Sequence, residues 1–156
     1  MLVVLFVTDS SALVPDSSQP QLQQLPEQWA KGLDQLQHQP FKLQQVFNEQ
    51  LITLASVRFS YSNFKELNHW YNERRTRLLS SKHKIKNIQQ INLDDGKTRL
   101  IFEYVIEEQG IDEPIHIFRL KEEWLIDVSQ NGQPRVVEMT ESYLSPVINS
   151  GAQIQC

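Results

Sequence analysis

Apolar residues in the first half of the chain recur every three or four positions, which is the spacing of helices. Three helices are predicted, over about residues 26–39, 41–58 and 64–79. Pro26 suits the first turn of the first helix, because its missing N–H group has no partner there in any case. Asn63, three residues before a glutamate, has the spacing of a capping box and is predicted to start the third helix.

The second half of the chain changes to the two-residue period of β-strands. The first predicted strand carries three isoleucines with a slip in their spacing, which indicates a bulge. Asp95-Gly96 is predicted to form a hairpin turn, and Lys121-Glu122-Glu123 an exposed turn between two strands. The predicted strands cover about residues 85–91, 100–107, 115–120, 124–128 and 135–139.

Helices followed by an antiparallel meander define the α+β class. The sequence therefore predicts N-terminal helices packed on an antiparallel sheet of four to five strands. Residues 1–25 are expected to form an apolar N-terminus and a flexible linker rich in Ser, Gln and Pro. Residues 26–144 are expected to form a single α+β domain, and residues 145–156 a loose C-terminal tail.

The N-terminal apolar run, Leu2 to Val7, affects the expected location of the protein. It is far too short to cross a bilayer, so no transmembrane segment is predicted in this chain. If the natural start lies upstream of Met1, the run is the remnant of an export signal and the protein is exported or periplasmic. Otherwise the run is an edge strand or a disordered end of a cytoplasmic protein. Cys156 is the only cysteine, so no disulfide within the chain identifies the compartment.

Two segments resemble a known superfamily. Residues 46–67 have the pattern of a long helix, a break at Ser60-Tyr61-Ser62 and a further helix. Residues 117–127 have an apolar strand that turns through a charged pair into Trp124-Leu125-Ile126. This order resembles the nuclear-transport-factor-2-like (cystatin-like) superfamily over roughly residues 42–140. The resemblance implies helices packed into the concave face of a curved sheet, in a fold that hosts enzymes and non-enzymes alike.

The chain has no motif that identifies a reaction. Its four histidines lack the spacing of metal ligands, so neither a metal site nor a cofactor is predicted. Isomerases and dehydratases of the superfamily place a base and a Tyr or Asp donor inside the sheet, and the resemblance implies a pocket in this region. Asp127 has the opposite strand parity to Trp124 and is expected to face away from it. The candidate pocket residues, which packing in the core would explain equally, are Tyr61, Trp70, Tyr104, His116 and Trp124.

A basic cluster is the remaining feature, and its members are Arg74, Arg75, Arg77, Lys82, Lys84 and Lys86. It is either the solvated end of the third helix or a docking patch for phosphates or an acidic partner. No nucleic-acid binding is expected, because the net charge is −4 and no aromatic residues are interleaved with the cluster.

Three functions therefore stay open. The first is a non-catalytic binding or assembly module, acting through a sheet face or a modest apolar pocket. Its expected partners are a second copy of the chain, a protein or a small apolar ligand. The second is a small-molecule isomerase or dehydratase, and the third is a phosphate or nucleic-acid binder. The absence of a catalytic motif favours the module over the enzyme.

Overall fold

The computed structural model describes residues 19–58, 62–128, 132–144 and 148–149. Two helices, α1 (Gln19–Asp34) and α2 (Phe64–Arg77), and a short 3-10 turn (Leu43–Gln45) accompany the sheet in these ranges. Neither helix is long and apolar enough to cross a membrane. The strands are β1 (Thr53–Ala55), β2 (Leu78–Asn92), β3 (Thr98–Gly110), β4 (Ile115–Asp127), β5 (Arg135–Tyr143) and β6 (Ile148–Asn149).

The sheet is open and mixed, with the strand order β1-β5-β4-β3-β2. The four long strands form an antiparallel meander, whereas β1 runs parallel to β5. The short β6 pairs with the start of β4. The predicted α+β class, with helices packed on a sheet of four to five strands, is confirmed, and β1 is the added parallel element.

The predicted second helix is wrong. Residues 41–58 contain only the 3-10 turn and β1, and Phe47 pairs with Val136 in an isolated bridge. The side chain of Asn48 explains the break, because its Oδ1 accepts the N–H groups of Gln50 and Leu51, each at 3.0 Å. An Asn side chain that bonds the backbone in this way competes with a helix. Leu43, Val46, Phe47, Ile52 and Leu54 of the segment are nevertheless buried, whereas Leu51 and Val57 are exposed.

The predicted turn at residues 121–123 is also wrong, because β4 runs through it without a break. Phe118, Leu120, Trp124 and Ile126 are all buried, and Glu122 has the same parity and is buried with them. Lys121 and Glu123 point to the other face, where Lys121 Nζ lies 2.6 Å from Glu123 Oε1. The charged triplet is therefore one buried acid between two partly exposed residues, and not an exposed loop.

Other local predictions are confirmed. Asn63 caps α2, since its Oδ1 accepts the N–H of Glu66 at 3.1 Å. Gly96 has a φ of +79° in the β2–β3 turn, and β2 has a register shift between Lys86 and Gln89. The helix bounds differ from those predicted: α1 begins at Gln19 rather than at Pro26, and α2 ends at Arg77, where β2 begins, rather than at residue 79.

Helices α1 and α2 contribute buried residues to the same core as the inward residues of β3, β4 and β5. Its centre is an aromatic core formed by Trp29, Phe47, Phe102 and Trp124, all almost fully buried. Their rings meet edge to face, with centroid distances of 5.0 Å for Trp29–Phe47 and 4.9 Å for Phe102–Trp124. Such edge contacts add to the stabilisation that burial provides. The polar residues described next lie on the same inner face.

Candidate functional site

An Asp-His dyad joins the end of α1 to β2. Asp34 is the last residue of α1, and its Oδ1 lies 2.6 Å from Nδ1 of His83 on β2. The second oxygen, Oδ2, accepts the backbone N–H of His83 at 2.9 Å. Ser81 donates its hydroxyl proton to Asp34 Oδ1 at 3.0 Å. The carboxylate therefore fixes both the position and the ring orientation of His83.

The dyad holds His83 in the form of a base. Burial lowers the pKa of His83, and the charges of Arg58 and Arg74 lower it further, although the hydrogen bond to Asp34 opposes them. The imidazole is therefore neutral at neutral pH, with its proton on Nδ1 facing Asp34. Nε2 then carries a lone pair, and no described residue forms a hydrogen bond with it.

A carboxylate-arginine cluster, formed by Arg58, Glu122 and Glu141, is buried between β4 and β5. Glu122 and Glu141 are directly opposite in the strand register, and both side chains are fully buried. The Nε of Arg58 donates to Glu141 Oε2 at 2.9 Å, and its Nη2 lies 2.6 Å from the same oxygen. The hydroxyl of Ser56 donates to Glu141 Oε1 at 2.7 Å. Arg58 Nη2 is also 3.5 Å from Glu122 Oε1.

The two carboxyl groups of this cluster differ in charge. Burial raises the pKa of Glu122 well above its ordinary value, and the neighbouring charge of Glu141 raises it further. Burial also acts to raise the pKa of Glu141, but the charge and hydrogen bond of Arg58 lower it overall. Glu141 is therefore ionised and Glu122 is a neutral acid at neutral pH. Adjacent groups with pKa values pushed apart in this way are typical of acid and base pairs.

A cavity of about 360 Å³ opens beside the cluster, and Arg74 connects it to the dyad. Arg74 Nη2 donates to Ser81 Oγ at 2.6 Å, and Ser81 in turn bonds Asp34. The same Nη2 forms an ion pair with Glu108 at 2.5 Å. The residues that line the cavity are Val57, Arg58, Trp70, Arg74, Arg77, Leu78, Glu108, Gly110, Glu113, Phe118 and Tyr143.

Several buried polar atoms in this region have no hydrogen-bond partner among the described residues. They are Trp29 Nε1, Arg58 Nη1, Arg74 Nε, His83 Nε2 and Glu122 Oε1. Each buried polar atom without a partner costs about 1–3 kcal/mol, so a native protein seldom gathers several. Among these residues Arg58 and Arg74 line the cavity, so their unpartnered N–H groups are the ones best placed for a polar small molecule bound there.

The structure separates the five candidate pocket residues predicted from the sequence. Trp70 lines the cavity, and Trp124 lies in the aromatic core with its Nε1 donating to Glu122 Oε2 at 2.6 Å. Tyr104 is buried, and its hydroxyl donates to the Pro26 carbonyl at 2.8 Å. His116 lies near the start of β4, 3.9 Å from a Glu113 oxygen. Tyr61 lies outside the described residues.

Sequence reasoning missed the dyad and the carboxylate-arginine cluster. Asp34 and His83 are 49 positions apart, so no local spacing connects them. Glu122 was assigned to a turn, although it continues the two-residue alternation of Leu120 and Trp124 and could have been found in that way. Within the ranges described, no three His, Cys, Asp or Glu side chains are grouped to hold a metal ion.

The basic cluster divides into two parts. Arg74 is buried in the network of the site, and the guanidinium of Arg75 lies over the ring of Tyr71 at 5.7 Å. Arg77 is exposed at the rim of the cavity. The exposed lysines, Lys82, Lys84 and Lys86, alternate along β2. The solvated-helix interpretation therefore does not hold for Arg74.

Comparison with solved structures identifies the fold. An NTF2-like superfamily protein from Salmonella enterica superposes with a TM-score of 0.70 at 11% identity, over 86% of this chain and 96% of that one. The chain has the nuclear-transport-factor-2-like fold. The fold implied by the resemblance is thus confirmed, whereas no family model and no curated protein matches the sequence.

Two further proteins with this fold have names that state a reaction. A protein from Novosphingobium aromaticivorans, provisionally described as a scytalone dehydratase, has a TM-score of 0.71 at 10% identity, over 87% of this chain and 89% of that one. Hexachlorocyclohexane dehydrochlorinase LinA-type3 from Novosphingobium barchaimii has a TM-score of 0.69 at 10% identity, over 86% and 92%. Identities this low show the fold alone, so the activity of this chain must be argued from its own residues.

Proposed function

We propose that this chain is a small-molecule enzyme of the isomerase or dehydratase kind, with His83 as its general base. The observation that carries the proposal is the Asp-His dyad, in which Asp34 holds the Nδ1 proton and leaves the buried Nε2 without a described partner. A base must be neutral, correctly oriented and within reach of the proton that it removes. Asp34 provides the orientation and the tautomer.

The proposed reaction is removal of a proton from carbon next to an electron-withdrawing group. Nε2 of His83 takes the proton, and the electron pair of the C–H bond moves to form a double bond. In an isomerisation the pair is accommodated on a carbonyl oxygen, and in a dehydration it expels a hydroxyl group. Asp34 stabilises the imidazolium that forms, and Glu122, as a neutral acid, is the group suited to protonate the oxygen.

Two facts from the comparisons support this class of reaction. The names dehydratase and dehydrochlorinase both describe eliminations, and both belong to proteins of this fold. An elimination needs a base and a means of assisting the leaving group, which the dyad and Glu122 would supply. The resemblance in fold alone would not distinguish an enzyme from a binding protein.

The test is hydrogen exchange at carbon. The protein is incubated in D₂O with a panel of small ketones, β-hydroxy ketones and their carboxylated analogues, and deuterium incorporation is followed by NMR. We expect exchange with at least one class and a loss of about 10²–10⁴-fold in His83→Gln. Imidazole should partly restore exchange in His83→Ala, since it replaces the missing base. His69→Gln is the matched control, because the His69 side chain is 64% exposed on α2.

The pH dependence gives a further readout. Since burial lowers the pKa of His83, the base form persists below the usual histidine range. The exchange rate should rise with pH, with its midpoint below the ordinary histidine pKa of 6.5. A midpoint above this value, or equal exchange by the native protein and His83→Gln, would contradict the assignment of His83 as the base.

A non-catalytic binding module is the second candidate, and the aromatic core favours it. Trp29 and Trp124 are fully buried and occupy the inner face that an enzyme of this fold would keep accessible. In that case the protein would bind small molecules in the 360 Å³ cavity without exchanging their protons. Ligand binding without deuterium incorporation for any member of the panel would support the module over the enzyme.

A further inference from the structure

We infer that the ligand of this site is an organic acid with one carboxylate and an apolar body, and that Arg58 binds the carboxylate. The inference deepens the proposed function by naming a class of substrate. It rests on that function only in that the bound acid is a substrate if the protein is an enzyme. The binding step itself would hold equally for a non-catalytic module.

Arg58 is held in place at one edge and has unused donors at the other. Its Nε is fixed by Glu141, which also accepts a hydrogen bond from Ser56. Nη2 is paired with Glu141 Oε2 at 2.6 Å, whereas Nη1 forms no hydrogen bond with any described residue, although the side chain is only 7% exposed and lines the cavity. The free N–H groups of Nη1 can donate to a carboxylate, and such binding is strong where water is excluded.

Trp70 and the second arginine complete the polar side of the site. The guanidinium carbons of Arg58 and Arg74 lie 5.3 Å and 5.9 Å from the Trp70 ring centroid. Arg74 Nε is a further buried donor without a described partner. Arg74 is otherwise committed to Leu33, Ser81 and Glu108, so it can assist an anion but not hold it alone.

The charge around the cavity favours a monoanion over a dianion. Three lining arginines, Arg58, Arg74 and Arg77, are opposed by Glu108 and Glu113 in the lining and by Glu141 behind Arg58. The neutral form of Glu122 leaves these charges balanced. A dianion such as phosphate would add two uncompensated negative charges beside Glu108 and Glu113, whereas a monocarboxylate adds only one.

The rest of the lining indicates an apolar body. Val57, Leu78 and Phe118 line the cavity together with the rings of Trp70 and Tyr143. The volume of about 360 Å³ lies at the small end of the range for ligand sites. A carboxylate attached to a short aliphatic chain or one aromatic ring has both the size and the polarity for this space.

The inference is tested by calorimetric titration of the full chain with benzoate, phenylacetate and hexanoate. Each acid is compared with its own amide, which has the same shape and no charge, and inorganic phosphate is titrated as the alternative anion. We expect at least one acid to bind about tenfold more tightly than its amide, and phosphate to bind more weakly than that acid. No preference for any acid over its amide, or tighter binding of phosphate, would overturn the inference.

The matched variants test whether Arg58 is responsible. Arg58→Gln alone leaves Glu141 as a buried unpaired charge, so the variant to compare is Arg58→Gln with Glu141→Gln, which removes both partners. This pair should lose the preference for the acid while circular dichroism shows a native fold. Arg99→Gln should keep the preference, because Arg99 is exposed on β3 and does not line the cavity. If the folded double variant keeps the preference, Arg58 is not the anion site.

The same titrations distinguish this inference from the proposed function. Acid binding without any carbon exchange would count against the enzyme and leave the carboxylate site standing. Carbon exchange without a preference for the acid over its amide would support the enzyme and count against the carboxylate site.

Discussion

The aromatic core and the carboxylate-arginine cluster share the inner face of one sheet but are built from opposite chemistry. In the aromatic core, Phe102 and Trp124 are fully buried and contact each other edge to face at 4.9 Å. In the cluster, Glu122 and Glu141 are equally buried, but only one is matched by the charge of Arg58. Burial of apolar rings stabilises a fold, whereas removal of ions from water costs free energy that pairing seldom recovers.

This difference indicates that the two regions have different roles. A protein that needed only stability would be better served by apolar residues at positions 122 and 141. The cost is tolerated where polar groups must be held ready for a ligand, which is the condition that we propose for this end of the sheet. Trp124 belongs to both regions, because its ring packs on Phe102 while its N–H donates to Glu122.

The largest expected effect is the loss of stability in Trp124→Ala, because Trp124 contacts both the aromatic core and the carboxylate-arginine cluster. Loss of the buried ring should destabilise the domain by about 3–5 kcal/mol. Trp124→Phe keeps an aromatic ring and removes the N–H donor, so it separates packing from the bond to Glu122. Urea unfolding measures both, with Leu79→Ala as the exposed control. A loss below about 1 kcal/mol for Trp124→Ala would show that the aromatic core is not the main source of stability.

The second largest expected effect is a change in the pH dependence of the free energy of unfolding in Glu122→Gln. The folded protein raises the pKa of Glu122, so at intermediate pH it binds a proton that the unfolded chain releases. Stability from this group is full below the unfolded value near 4.5 and is lost as pH rises toward the folded pKa. The slope is about 1.4 kcal/mol per pH unit in that window. Glutamine cannot ionise, and its amide oxygen still accepts the Trp124 N–H.

The stability of Glu122→Gln relative to the native protein should therefore increase as pH rises above about 4.5. Chemical unfolding of both proteins at several pH values from 4 to 8 measures this difference. Titrating groups that behave alike in the two proteins contribute equally to both stabilities and therefore cancel in the difference. Glu123→Gln is the matched control, since Glu123 has the opposite strand parity and is partly exposed. A difference that does not change with pH would mean that Glu122 is ionised in the folded protein.

The contrast between the regions also explains what could be predicted from the sequence. The alternation of apolar residues along β3 predicted the strand that supplies Phe102 and Tyr104, because each strand position alternates between the two faces. The second helix failed because an Asn48 side chain, and not the apolar spacing, decided the local conformation. Sequence patterns are strongest where burial of apolar surface alone determines the structure.

Most of the candidate site, in contrast, could not be predicted from the sequence. Glu122 and Glu141 are acidic residues, and an acidic residue in a sequence normally indicates an exposed position. Their burial depends on Arg58, which comes from a distant loop. Asp34 and His83 likewise meet only through the packing of α1 against β2. Pairings between distant polar residues therefore had to come from the structure.

The smallest expected effect is the loss of stability in Tyr104→Phe. This variant tests whether Tyr104 only stabilises the fold or also takes part in the proposed reaction. The superfamily resemblance made Tyr104 a candidate proton donor, and its ring lies 5.4 Å from that of His83. Its hydroxyl, however, already donates to the Pro26 carbonyl on α1 at 2.8 Å. Burial raises the pKa of Tyr104, so the group is a neutral donor with its proton committed to the helix.

Tyr104→Phe should therefore cost about 1 kcal/mol in urea unfolding, the contribution of one hydrogen bond, and leave the carbon exchange rate unchanged. His83→Gln should show the opposite pattern, with exchange lost and the fold retained. Measured together, the two variants separate a residue that anchors α1 from one that takes part in proton transfer. If Tyr104→Phe instead lowers exchange about tenfold or more at unchanged stability, its hydroxyl must leave Pro26 to reach the substrate, and the functional region would extend to Tyr104.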